Sequence, residues 1–187
     1  MKAVLISIQP KWCELIASGE KTVEVRKTKP KLETPFKCYI YETKGKLRWC
    51  NKCQDTDCER PYPNCACHEG WGKVIGEFVC DSLIWVLAHP SIFAGHPLFY
   101  SQAINDACLT RDEVEKYSGG KDVYGWHISD LVIYDKPRAL SEFYTLKKCN
   151  SCKSGYESTA CIYDENCRVP APITRPPQSW CYVEAEE

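Results

Sequence analysis

Three charged residues with short spacing are the first candidates for chemistry in this chain: Lys21, Glu24 and Arg26. Residues two apart on a β-strand share a face, so Thr22, Glu24 and Arg26 would lie on one side and the intervening valines on the other. Such a face could line a cleft in which the positive charges of Lys21 and Arg26 attract an anionic ligand and Glu24 orients Arg26. A solvated strand face with a cross-strand ion pair would give the same pattern.

A helix, a turn and a strand must position these residues. A short helix is predicted over residues 10–18, because Pro10 suits a first helical turn and apolar side chains follow at helical spacing. Gly19 would end that helix, because glycine adopts a positive φ at little cost. The strand from Thr22 onward would then bury its valines and present its polar side chains to water or to a cleft.

The residues Gly19, Lys21, Glu24 and Arg26 reproduce the G-x-K-x-x-E-x-R signature of the ASCH domain superfamily. Members of that superfamily have a PUA-like β-barrel, and their motif residues line a cleft between helix and barrel. RNA binding is the general proposal for them. The resemblance therefore implies that this chain binds RNA, a single-stranded nucleic acid or a nucleotide.

The resemblance extends beyond the motif. The segments 5–10 and 124–128 resemble the first strand and a closing strand of phage-type ASCH proteins, and the similarity covers approximately residues 2–45 and 72–143. It implies an α+β fold, a PUA-like mixed β-barrel with short flanking helices. One cysteine-rich stretch interrupts the resemblance and a second follows it; both are interpreted as zinc-loop insertions.

An enzymatic function is the alternative that the resemblance leaves open. One ASCH branch hydrolyses the acetamide of N4-acetylcytidine, and another is reported as a ribonuclease. In the amidohydrolase branch the motif lysine, here Lys21, works with a threonine at the position that Glu24 occupies, and Thr22 lies two residues earlier. A desolvated Lys21 beside Arg26 could act as a base together with Glu24. This chain therefore departs from the pattern of that branch at Glu24.

A histidine on a later strand is a further candidate for the cleft. His127 alternates with Trp126 and Ile128, which are expected to be buried, so its side chain would point the opposite way. It could enter the cleft as a hydrogen-bond donor or a proton carrier. A lone strand histidine more often has a structural role.

The fourteen cysteines indicate metal binding. The start of the chain lacks the features of a signal peptide, so a reducing, cytoplasmic location is expected, in which disulfides are rare. Cysteines within predicted strands, Cys38 and Cys80, are interpreted as core residues. Cysteines of the two cysteine-rich segments, 46–72 and 146–168, are interpreted as the source of ligands for structural Zn²⁺, with two ions expected per chain.

Each predicted zinc site has its own ligand set. The first begins with the pair Cys50 and Cys53 and is completed by two residues from a surplus; Cys65 and Cys67 are preferred, with Cys58 and His68 as alternatives. The second has four cysteines and no surplus: Cys149, Cys152, Cys161 and Cys167. A disordered insert with incidental thiols is the alternative for the first. Sites closed by four thiolates leave no open position for a zinc-dependent hydrolase.

Length and composition favour one domain. The 187 residues, of which 44% are hydrophobic, can bury one sizeable core, so residues 1–187 are assigned to a single domain with insertions at 46–72 and 146–168. No stretch approaches the roughly 20 apolar residues of a membrane span, so no membrane association is expected.

Charge is unevenly distributed along the chain. Residues 1–50 hold eleven Lys or Arg and five Glu, a net charge of +6, whereas the whole chain has a net charge of −1. A basic region around the motif would steer an anionic ligand toward it, and the small total predicts a footprint of one or a few nucleotides. A lysine-rich loop that maintains solubility is the alternative.

The remaining pattern is mostly that of strands, predicted over residues 2–9, 36–42, 73–86, 121–134 and 179–183. Thr110 and Glu113 form a capping-box pattern, which predicts a helix ending near Tyr117. The apolar residues Val132 and Ile133 are expected to fill the core.

Overall fold

The computed structural model describes residues 2–44, 72–88, 98–148 and 168–185. The strands are β1 (Lys2–Ile8), β2 (Val23–Arg26), β3 (Phe36–Glu42), β4 (Val74–Cys80), β5 (Leu83–Ala88), β6 (Leu98–Phe99), β7 (Val123–His127), β8 (Ser129–Arg138), β9 (Tyr144–Lys148), β10 (Arg168–Pro172) and β11 (Trp180–Glu184). The helices are α1 (Pro10–Ala17), α2 (Ser101–Asp106) and α3 (Arg111–Ser118), followed by a 3-10 helix, Leu140–Glu142. The described part of the chain is therefore a mixed α+β fold that is mostly sheet, as predicted.

The strands form three sheets within the described residues. A five-stranded sheet has the order β11-β1-β3-β4-β8, a four-stranded sheet the order β2-β7-β5-β6, and a two-stranded sheet pairs β9 with β10. Strands β1 and β3 are parallel, and α1 and β2 lie between them in the chain. The chain therefore leaves the five-stranded sheet after β1, builds the edge of the second sheet with β2, and returns.

The five-stranded sheet is covered on both faces. Val4 and Ile6 of β1 belong to a core cluster that includes α1, whereas Leu5 of β1 packs with Tyr39 and Phe143 in a cluster on the other face. Alternate residues of a strand point to opposite faces, so a run of apolar residues such as β1 is what a doubly covered strand requires. This rigid sheet supports the end of β1, where Ser7 and the start of α1 lie.

The motif segment folds as its sequence predicts. Helix α1 starts at Pro10 and is followed by Gly19 with a φ of 79°, which reverses the chain into β2. Val23 and Val25 are buried in a cluster formed with helices α2 and α3. The other face of β2 is thereby left to Glu24 and Arg26.

Two predicted strands prove to be divided. The predicted strand 73–86 is two strands, β4 and β5, which lie in different sheets, and the predicted strand 121–134 is divided into β7 and β8 in the same way. The expectation that Val132 and Ile133 fill the core is wrong, because both side chains are exposed. They lie on β8, which is an edge strand of the five-stranded sheet.

Other predictions from local sequence are confirmed. Thr110 and Glu113 form the predicted capping box at the start of α3. Cys38 and Cys80 are buried. The final strand β11 brings the ring of Trp180 to 5.8 Å from the ring of Trp126.

No helix among the described residues is long and apolar enough to cross a membrane.

Candidate nucleotide-binding cavity

The motif residues line a cavity of about 910 Å³. One wall is the end of β1 and the start of α1, a second is β2, and a third is helix α3. The segment 174–179, which precedes β11, and the end of β3 with the residues after it contribute to the remaining wall. Residues distant in sequence therefore converge on the strand that carries Glu24 and Arg26.

Lys21 is buried at the back of this cavity, with 3% of its surface exposed. Its Nζ donates a hydrogen bond of 2.7 Å to the carbonyl of Ala107, at the end of α2, and lies 3.6 Å from Oε2 of Glu24. The same Nζ lies 5.0 Å from the centroid of the Trp12 ring. Burial lowers the pKa of Lys21, and the Glu24 carboxylate opposes that shift.

Arg26 is held by three acceptors, and none of them pairs with its Nε. Its Nη1 donates to Glu24 and, at 2.8 Å, to the carbonyl of Val25, while Nη2 donates at 2.6 Å to the carbonyl of Ser7. Its Nε is buried and has no hydrogen-bond partner among the described residues. A buried donor without an acceptor destabilises the folded protein, so an acceptor supplied by a ligand at this N–H would be stabilising.

Glu24 joins the two cations. One carboxylate oxygen pairs with Lys21 and the other with Arg26, and only 4% of the residue is exposed. Two cations thus share a single carboxylate when all three groups are ionised. The cluster carries one excess positive charge at a cavity wall, which favours an anionic or electron-rich ligand.

Aromatic rings line the same cavity. Trp12 of α1, Tyr41 of β3 and Tyr117 of α3 are among its walls, and Tyr117 remains exposed. In the sequence Trp12 belongs to the apolar stripe of the predicted helix, and no local pattern places Tyr41 or Tyr117 in the site. Their common signal is an aromatic side chain next to lysine or polar residues, which is too frequent to identify a cavity without the tertiary structure.

Two other predicted ligand-binding residues are not brought to the cavity. His127 pairs with Val23 in the β2–β7 ladder, so it shares the face of Val23, opposite to that of Glu24. Its Nδ1 lies 2.6 Å from Oδ1 of Asp81, away from the motif cluster. Thr22 precedes β2 and uses its backbone N–H to bond the carbonyl of Asp106. Neither residue is among those that line the cavity.

The predicted zinc ligands all lie outside the described residues: Cys50, Cys53, Cys58, Cys65, Cys67, His68, Cys149, Cys152, Cys161 and Cys167. Within the described ranges, no group of three or more His, Cys, Asp or Glu side chains is placed to hold a metal ion. The structure therefore leaves the zinc hypothesis as a prediction from sequence spacing.

Comparison with protein families supports the assignment of the motif. The model of the ASCH domain matches residues 6–122, which include α1, β2 and helix α3. No curated protein matches the chain.

Solved structures of an ASCH protein from Zymomonas mobilis have a similar fold. The first superposes with a TM-score of 0.53 at 16% identity and covers 97% of this chain and 87% of that one. A tyrosine-to-phenylalanine variant of the same protein gives a TM-score of 0.49 at 16% identity, covering 98% and 91% of the two chains. At this identity the first match supports a shared fold and no more.

Proposed function

Because this chain belongs to the ASCH domain family, which is generally linked to RNA binding, we propose that its cavity binds RNA or a single nucleotide. The observation that carries the proposal is the unpartnered Nε of Arg26 in a cluster with one excess positive charge. Arg26 would donate to a phosphate oxygen or to a base edge. The other bonds of Arg26 already fix the guanidinium, so a ligand that reaches Nε meets a donor held in place.

Lys21 and Glu24 act in this proposal mainly on Arg26 and on the local charge. Lys21 is already bonded to Ala107, so it contributes positive potential and a fixed wall. Glu24 accepts a hydrogen bond from Nη1 of Arg26 and so helps to hold the guanidinium in place. Trp12 and Tyr117 supply aromatic surface against which a base could stack.

The size of the cavity supports a small ligand. A volume of about 910 Å³ lies within the range of roughly 300 to 1,000 Å³ of small-molecule sites. A cavity of this size can hold one or a few nucleotides, so we expect a footprint of that size and a shallow dependence on salt.

The test compares Arg26→Lys with Arg168→Lys, a matched control on exposed strand β10. Lysine keeps the charge but lacks the Nε donor, so Arg26→Lys should weaken binding of mononucleotides or short RNA by about tenfold or more. Arg168→Lys should leave it unchanged. Calorimetric titration would measure both, after circular dichroism has shown that the variants are folded. Equal affinities for the two variants would exclude Arg26 as the ligand contact.

A hydrolase acting on RNA or on a modified nucleoside such as N4-acetylcytidine is the second proposal. The lowered pKa of the buried Lys21 favours it, because a lysine that loses its proton more readily can act as a base. Glu24 is the catalytic partner in this proposal. Lys21→Met should then abolish product formation while binding of the substrate persists; product analysis by mass spectrometry would detect the loss. Absence of any turnover by the unaltered protein would exclude this proposal.

We also propose that the cysteine-rich segments bind structural zinc. The support is the ligand spacing, with Cys50, Cys53, Cys65 and Cys67 as the first set and Cys149, Cys152, Cys161 and Cys167 as the second. Elemental analysis of the reduced, purified protein should find close to two Zn²⁺ per chain. The Cys152→Ser variant should bind close to one, and an unchanged content would contradict the second set.

A further inference from the structure

A row of side chains connects the cavity to the protein surface. Arg26 of β2 faces Tyr124 of β7, and Tyr124 faces Trp85 of β5. Residues directly opposite in antiparallel strands project from the same face, so the three side chains form one continuous row. Adjacent strands are about 4.8 Å apart, which makes the row about 10 Å long from β2 to β5. Its outer end is Trp85, which is 38% exposed.

Trp85 is supported from behind. The ring centroids of Trp85 and Tyr124 are 4.7 Å apart and the rings are inclined by 40°. Tyr124 therefore fixes one side of the indole, and the exposed remainder is a flat platform. A fixed aromatic platform at a surface suits stacking, because little side-chain entropy is lost when a planar group binds to it.

Lysines accompany the aromatic rings. Nζ of Lys27 lies 4.9 Å from the ring centroid of Tyr117, at the cavity wall, and Nζ of Lys29 lies 5.2 Å from that of Tyr124. Asp122 is the acidic residue near Tyr124, where it adds to the effect of burial in raising the pKa of the phenol. Lys27 and Lys29 thus place two ammonium groups beside these aromatic rings.

We propose that these five residues, Lys27, Lys29, Trp85, Tyr117 and Tyr124, guide a single-stranded RNA out of the cavity. We call these five residues the aromatic–lysine row. The proposal rests on the proposed function, since the nucleotide in the cavity would be part of the same strand. The next bases stack on the exposed aromatic surface, with Trp85 as the outer platform, and the lysines contact the phosphates between them. Aromatic platforms alternating with cations are how proteins bind single strands without reading sequence.

The row favours a single strand over a duplex or an acidic protein. Stacking requires bases whose faces are open, which a duplex does not offer. An acidic peptide could pair with the lysines but would not supply a planar base to stack on Trp85. The short length of the row limits the contact to a few nucleotides beyond the cavity.

The test uses random-sequence RNA of two and of eight nucleotides, titrated calorimetrically against the full chain. Trp85→Ala should weaken octamer binding at least fivefold and leave dinucleotide binding unchanged, because only the octamer reaches the platform. Trp85→Phe retains an aromatic face and should restore most of the affinity. Lys29→Ala should reduce the salt slope of octamer binding by about 0.7, the contribution of one phosphate contact in a single strand.

Tyr144→Ala on β9 is the matched control, because Tyr144 is a similarly exposed ring on a different sheet. Equal octamer affinities for Trp85→Ala and Tyr144→Ala would overturn the aromatic–lysine row, and dinucleotide binding that still depends on Arg26 would leave the proposed cavity function standing. Dinucleotide binding unaffected by Arg26→Lys would instead remove the cavity function. A protein that binds dinucleotide and octamer with the same affinity would also overturn the row.

Discussion

The strand pair β2–β7 carries an acid–base cluster on each of its faces, and the two clusters differ in their contact with water. Glu24, paired with Trp126 in the ladder, holds Lys21 and Arg26, and each of the three is less than a tenth exposed. On the opposite face His127 pairs with Asp81, and their side chains are 40% and 45% exposed. Both clusters join a carboxylate to at least one basic side chain, but only the Glu24 cluster is buried, where an uncompensated charge is destabilising.

Removing one residue has different effects in the two clusters, because only one of them is buried. Removing one member of a buried cluster leaves charge without compensation, whereas an exposed pair exchanges its partner for water at little cost. The Glu24 cluster must therefore be held together by the surrounding fold, and it can act on a ligand in a medium that screens charge weakly. The Asp81 pair has neither constraint.

The largest expected effect is that of Glu24→Ala on stability. This change leaves Lys21 and Arg26 facing each other without their shared carboxylate, and we expect a loss of about 3 kcal/mol in the free energy of unfolding. Urea denaturation followed by circular dichroism would measure it. The double variant Glu24→Ala with Lys21→Met should recover part of the loss, because it removes one of the two unpaired cations. A loss below about 1 kcal/mol would show that the cluster is far more hydrated than its burial indicates.

The local part of the motif could be predicted from sequence, and its surroundings could not. Pro10, Gly19 and the alternation around Val23 specify a helix, a reversal and a strand through backbone preferences that act over a few residues. The capping box of Thr110 and Glu113 is another such signal. The third wall of the cavity and the segment 174–179 are joined to β2 only by tertiary packing, so neighbouring sequence contains no signal for them.

The misplaced expectations have the same origin. To predict which face of the sheet His127 occupies, one must know the register of β7 against β2. A shift of one residue would move its side chain to the opposite face. Its partner Asp81 is 46 positions away in sequence. Val132 was expected in the core from its apolar character, which cannot distinguish an edge strand from a central one.

An intermediate effect is expected for Lys21→Met, and it should depend on pH. Methionine keeps the packing but loses the hydrogen bond to Ala107, which should cost about 1 kcal/mol near neutral pH. Burial lowers the pKa of Lys21 in the folded state below the value of about 10.4 of an unfolded chain. Between these two values the unfolded state binds more protons, so the contribution of Lys21 to stability rises with pH in that window.

The measurement is the difference in unfolding free energy between the unaltered protein and Lys21→Met, followed from pH 7 to pH 10. Taking the difference cancels the contributions of other groups that titrate in this pH range, such as Cys80. The raised pKa of Cys80 makes both proteins less stable as pH rises. The unaltered protein should gain stability relative to the variant as pH rises. A difference that stays constant or falls would contradict the assignment of Lys21 as a desolvated cation.

The smallest expected effect belongs to the exposed pair. Asp81→Ala should cost only about 0.2 to 1 kcal/mol of unfolding free energy at neutral pH, because solvent screens an exposed pair. His127 lowers the pKa of the Asp81 carboxyl by hydrogen bonding to it. The stability that this provides is fully present above the unfolded pKa of about 3.9 and is lost as pH falls through the lower, folded value. The difference between the unaltered protein and Asp81→Ala should therefore vanish in acid. If Asp81→Ala were as destabilising as Glu24→Ala, exposure to water would not be what distinguishes the two faces of the β2–β7 pair.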